Sequence, residues 1–220
     1  MTHFPSPQFV TLPSQIARSI ADAIMKNEVK PGASLREIPL AEKFGVSRSS
    51  VREALRILER DGVVSIRPRH GAKVTELTAT EMAEIYQIRA ALLGVAFELY
   101  AARVNINDLK FLEEKLVKMG AIVASSDDIK ALVHADLSAS MADFVFQNCG
   151  NKKLAALLNQ MSLQVARYTL LGLSTEIRRQ QSIHNWDKVL DAFRLHDAAQ
   201  ANRVGKKMVN DTLDHALSLL

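Results

Sequence analysis

The chain has 220 residues, one cysteine, 48% hydrophobic residues and a formal net charge of +4. That length holds two small domains with a sizeable core, and the lone Cys149 excludes an internal disulfide framework. Charge is unevenly divided: residues 1–75 carry 12 Lys and Arg against 7 Asp and Glu, while residues 76–220 carry 16 against 17. A cationic excess confined to one third of the chain points to a discrete module for a polyanion, joined near Thr75 to a near-neutral partner.

The opening MTHFPSPQF has neither a basic start nor an apolar run, so no signal peptide is expected. The longest apolar-rich stretch, Leu92 to Ala102, is too short to span a bilayer. A cytoplasmic protein without a membrane partner is expected. Residues 1–13, with Pro5, Pro7 and Pro13, read as a flexible arm. Ser14 is expected to cap a helix with Ile16, Ile20, Ala23 and Ile24 on one stripe, stopped by Lys30-Pro31-Gly32. Leu40, Ala41 and Phe44 give a second, short helix its apolar face, and Gly45 ends it in a left-handed cap.

Ser47 is then expected to cap a third helix by accepting a backbone N–H near Ser49 or Ser50. In that helix Val51, Ala54, Leu55 and Leu58 share one stripe, while Arg48, Arg52 and Arg56 recur every four residues on another. A helix with an apolar back and an arginine front can pack on a core and still enter a major groove. Gly62 closes it. VVSIR and GAKV read as two strands about the turn PRHG, gathering Arg67, Arg69, His70 and Lys73 where they reach phosphates or a minor groove.

From Thr78, whose spacing to Glu81 is that of a capping box, the chain has no proline and no strand alternation. Helices are expected over residues 79–103, 107–123, 129–147, 152–173, 176–195 and 198–219. The short breaks between them imply antiparallel neighbours, a bundle of about six helices. The expected fold is therefore mainly α: a winged helix-turn-helix domain over residues 14–75 and an all-α antiparallel bundle over residues 76–220.

The string VSRSSVREALRILERDGVV, followed by HGAKV, resembles the GntR family of bacterial transcription regulators. The resemblance makes Arg48 and Arg52 the base-reading arginines and gives Ser47, Ser49 and Ser50 to phosphate. Gly71 lets the wing tip approach the groove beside Arg69, His70 and Lys73, and Arg36 matches a commonly basic position. Two positions depart from the pattern: Ser50 stands where proline is common, and Ile38 where arginine often is.

In the helical half, the order IYQIRAALLGVAFELYAA, HADLSASMADF, CGNKKL and WDKVLDAFRLHDAAQANR resembles the FCD effector domain of the family's FadR-like branch. In much of that branch an Asp and three His hold a divalent metal beneath a carboxylate ligand. Here Asp136 matches the aspartate, while the histidine positions carry Ser140, Trp186 and Met208. None of these three is a good ligand for a hard metal. No cofactor is expected, with a rearranged site from His134, His184, His196 or His215 left open.

The expectation is a metal-free, more apolar effector pocket about Asp136, Ser140, Trp186 and Met208. Arg89 is the candidate partner of an anionic effector, an organic acid or acyl-type metabolite. Pairing of Arg89 with Asp136 stays open, as does a purely hydrogen-bonding role for Asp136. The function implied is a ligand-responsive, homodimeric regulator, and more a repressor than an activator, that binds a palindromic double-stranded DNA operator. The alternatives are an effector-independent DNA-binding protein and a metal-dependent enzyme in the helical half. Against the enzyme, the sequence carries no nucleophile elbow, P-loop or dinucleotide fingerprint.

Overall fold

The computed structural model describes residues 11–25, 28–67, 71–124 and 129–220. The chain divides into two compact units, Met1–Glu76 and Leu77–Leu220.

In the first unit, α1 (Leu12–Met25), α2 (Glu37–Phe44) and α3 (Arg48–Arg60) stand with a small sheet. α1 begins earlier than Ser14 because Thr11 takes the cap, its Oγ1 accepting the Ser14 N–H at 3.3 Å. Pro13 is tolerated there because the first-turn N–H groups have no helical acceptor to lose. The apolar face of α1 (Ile16, Ala17, Ile20, Ala21, Ile24) and that of α3 (Val51, Ala54, Leu55, Leu58) form the core between these two packed helices.

The sheet has a strand the sequence pattern did not announce. β1 (Ser34–Leu35) joins β2 (Val64–Arg67) and β3 (Gly71–Val74) in the antiparallel order β1-β3-β2. Its register sets Ser34 opposite Lys73 and Leu35 opposite Ala72. Two residues are too few to leave an alternation that can be read.

The second unit is helical throughout its described residues: α4 (Ala79–Ala101), α5 (Ile106–Ala124), α6 (Lys130–Asn148), α7 (Lys152–Gly172), α8 (Glu176–Arg194) and α9 (Ala198–Leu217). Side-chain caps set most of the starts. Thr78 and Glu81 form the reciprocal capping box, Asn151 accepts from Leu154 at 3.0 Å, and Asp197 accepts from Gln200 at 2.8 Å. Each cap satisfies an N–H that the helix itself cannot. α4 packs along α9, closely enough that a Cβ on Gly94 would lie 2.8 Å from Lys206 and one on Gly205 would lie 3.0 Å from the Phe97 ring. Phe97, Tyr100, Phe193 and Trp186 fill the centre, with the Phe97 and Trp186 rings 5.8 Å apart.

Candidate functional site

In the first unit the turn between α2 and α3 is built as its sequence implies. Gly45 sits at φ +63°, and its N–H closes back onto the Ala41 and Glu42 carbonyls. Ser47 caps α3 by accepting the Ser50 N–H at 3.2 Å, and its hydroxyl also meets those of Ser49 and Ser50 at 2.8 and 2.9 Å. This polar cluster lies at the positive end of the α3 dipole, where free N–H groups favour a phosphate oxygen. Arg48, Arg52 and Arg56 are all exposed on the side of α3 opposite the core.

Arg52 is not free in solution. Its Nε and one terminal nitrogen both donate to the Glu37 carboxylate, each at 2.7 Å. That fork holds the Glu37 carboxyl below the usual carboxylate range, chiefly through the hydrogen bonds from Arg52. Arg36 is exposed just ahead of α2, and Ile38 is exposed within it. On the sheet, Gly71 opens β3 at φ +74° with nothing near its missing Cβ, so conformation, not crowding, selects glycine. Lys73 is exposed opposite Ser34 and Ser65. Arg69 and His70 lie outside the described residues.

In the helical unit the expected residues are dispersed. Trp186 is fully buried and donates its indole N–H to Ser138 Oγ at 2.9 Å. It is therefore Ser138, and not Ser140, that meets it; Ser140 accepts from Lys115 at 3.2 Å. Asp136 is not turned inward, because α6 buries His134 and Ala135 and leaves Asp136 on its exposed side. Met208 is partly buried against the core. Arg89 donates to Leu158 O at 3.3 Å and Ser162 Oγ at 3.4 Å. None of the ion pairs among the described residues joins it to Asp136.

Two inward groups escaped the sequence reading as a pair, Arg179 and His134. Both are buried, and both have nitrogens without a hydrogen-bond partner. The spacing showed which residues share a face of each helix, but not that the two faces meet. His134 and Ser138 are one turn apart on α6, and Arg179, Ser182 and Trp186 share a face of α8.

Residues 12–74 match the model of the bacterial regulatory proteins of the gntR family, and residues 84–211 match that of the FCD domain. The chain belongs to the GntR family, with an FCD domain as its helical unit. It is 25% identical over 216 residues, 98% of this chain and 94% of the other, to the uncharacterized HTH-type transcriptional regulator YdhC of Bacillus subtilis (strain 168). It is 25% identical over 182 residues, 83% of this chain and 72% of the other, to the gluconate operon transcriptional repressor of Bacillus licheniformis. The solved structure of E. coli McbR/YncC shares the fold, with a TM-score of 0.81 at 21% identity over 96% of this chain and 99% of that one. GntR-family chains such as these relatives are transcription regulators, and this chain is one of them rather than an enzyme.

The metal carried by much of the FadR-like branch of GntR regulators does not fit the residues here. At the matching positions Asp136 is exposed, the Ser140 hydroxyl serves Lys115, the Trp186 nitrogen is a committed donor and Met208 offers a soft thioether. Among the described residues no three His, Cys, Asp or Glu side chains come together as a metal set.

Proposed function

We propose that this GntR regulator binds a palindromic operator as a cytoplasmic homodimer and acts as a repressor released or retuned by a small anionic metabolite. The observation that carries the DNA reading is the division of α3 into a fully packed apolar side and an exposed side with Arg48, Arg52 and Arg56. Two such helices related by a two-fold axis suit two half-sites. Arg48 and Arg52 read bases, guanine O6 and N7 being the acceptors that match a guanidinium. Ser47, Ser49, Ser50, Arg36 and the wing residues Arg69, His70, Gly71 and Lys73 fix the register on the backbone.

The effector is held without a metal in the helical unit, with Arg89 as a candidate anchor and the exposed Asp136 left out. The effector acts through a difference in affinity for two placements of the DNA-binding modules. Arg48→Ala is expected to cost about 1–3 kcal/mol of operator binding and to relax specificity at its base. Fluorescence anisotropy on operator and random duplexes tests this. If Arg48→Ala and Arg52→Ala both keep specific binding, the groove assignment fails.

A further inference from the structure

The chain between the two units is tied down on either side of a single residue. In the first unit the Thr75 N–H donates to the Val63 carbonyl at 2.9 Å, and the Val74 N–H before it to the Ala33 carbonyl at 3.0 Å. In the second unit the Leu77 N–H donates to the phenolic oxygen of Tyr168 at 2.9 Å. The capping box of Thr78 and Glu81 follows at once. Glu76, an exposed residue, is the one that stands between these anchors. This joint holds no glycine, so its looseness depends on which of its N–H groups are held.

The Tyr168 contact differs in kind from the others. Those are backbone bonds within the first unit and a cap made by adjacent side chains. Tyr168 comes from α7, 91 residues further along the chain. It is 4% exposed and belongs to the core of the helical unit, and the Arg167 guanidinium stands 5.5 Å from its ring centre. A phenylalanine would fill the same space. What the hydroxyl adds is an acceptor, fixed in the core, for the part-buried N–H of the joint.

A held peptide plane removes rotations. With the Thr75 and Leu77 N–H groups both held, the backbone torsions left to turn are those of Thr75 and Glu76. Release of Leu77 adds its own pair, because the next anchor is the Thr78 N–H on the Glu81 carboxylate at 2.8 Å. Half-sites lie about one helical turn or its multiples apart, so one added base pair rotates a half-site by roughly a tenth of a turn. A looser joint follows that rotation more easily than a tight one.

We propose that the Tyr168 hydroxyl is a positioning group for operator recognition. By holding the Leu77 peptide it limits the directions in which the chain leaves the helical unit, and so narrows the half-site spacing that the regulator accepts. This rests on the reading of the chain as a homodimer on a palindromic operator.

The test uses the full chain and the duplex that it selects from a random pool. Tyr168→Phe keeps the ring and removes the acceptor. Tyr86→Phe is the comparison, since that hydroxyl meets Thr169 of the same helix at 3.3 Å and not the joint. Anisotropy gives affinities for the selected operator, for versions with one or two base pairs added between the half-sites, and for a random duplex. The unaltered protein and Tyr86→Phe are expected to bind the lengthened operators at least about tenfold more weakly. In Tyr168→Phe that penalty shrinks to about threefold, with random duplex bound as before. A mere loss of stability weakens every duplex alike and leaves the penalty unchanged. Hydrogen exchange at the Leu77 amide is expected to be slow in the unaltered protein and at least about tenfold faster in Tyr168→Phe.

An equal spacing penalty in Tyr168→Phe and the unaltered protein overturns the proposal and leaves the dimeric reading standing. So does a Leu77 amide that exchanges as fast as open chain in the unaltered protein. Should Tyr168→Phe fail to fold, a glycine inserted after Glu76 takes its place, and an undiminished penalty there overturns the proposal. If the unaltered protein selects no palindrome, or tolerates every spacing, both readings fail together.

Discussion

The fork between Arg52 and Glu37 fixes the side chain proposed to read a base before any DNA arrives. Held by two 2.7 Å bonds, the guanidinium loses little further freedom on binding, but it must exchange or share its carboxylate partner at the groove. Glu37 therefore works as an orienting group and as a local anion that DNA repels. Glu37→Gln is expected to raise affinity for random duplex by about threefold at low salt while lowering the ratio of operator to random affinity. Anisotropy on both duplexes measures the two effects, and an unchanged ratio means that the fork does not orient Arg52.

A second residue carries a pH signature. Burial, then the Arg179 charge, lowers the His134 pKa from 6.5 to about 4. Between those values the unfolded chain binds the proton and the folded chain does not, so stability falls as pH falls through this window. Ligand-free protein should lose on the order of 3 kcal/mol from this group between neutral pH and pH 4, seen as a falling melting temperature. His134→Phe should flatten that part of the curve, and an identical pH profile for the variant would refute the assignment.

At the level of elements, closeness of packing decides what each glycine tolerates. A Cβ on Gly172, at the end of α7, would lie 2.5 Å from the Thr212 backbone oxygen of α9, and neither backbone can rotate away. Gly120, inside α5, has nothing within 4 Å of its missing Cβ. Gly172→Ala should therefore destabilise the helical unit by about 1–3 kcal/mol. Gly120→Ala should stabilise it by roughly 0.5–1 kcal/mol through lower unfolded-chain entropy. Denaturant midpoints of the two variants should move in opposite directions, and a common direction would show that the α7–α9 contact yields.

The elements also show what the sequence could and could not convey. Helices with capping residues at their starts were legible to within two residues, because a cap is a local signal from adjacent side chains. α1 was misplaced because Thr11 and Ser14 are both able caps and only the fold chooses between them. The exposed arginine side of α3 was legible for the same local reason, with three arginines on one helix. The interior pair was not, because Trp186 meets Ser138 across 48 residues of chain and Arg179 faces His134 from another helix. No spacing rule within a single helix encodes such a meeting.

For the whole molecule, the division of charge makes DNA binding a matter of counted contacts. The first 75 residues carry the entire positive excess, and the rest is close to neutral. Salt should therefore act on the complex chiefly through the phosphates that the basic unit neutralises, each contributing about 0.9 to the slope of log K against log salt. That proportionality can count subunits. Lys73 stands exposed on β3, away from the buried Ala72 and Val74, and is a proposed phosphate contact. A homodimer on a palindrome presents it twice, so Lys73→Ala should reduce the slope by about 2, and a single bound chain by about 1. The measurement is operator anisotropy from 50 to 200 mM salt, the range over which counterion release dominates. Because the lysine reads no base, random and operator duplexes should weaken alike. A slope change near one on the operator would refute the dimeric arrangement. No change on either duplex would remove Lys73 from the interface and leave the dimer for the arginines of α3 to report.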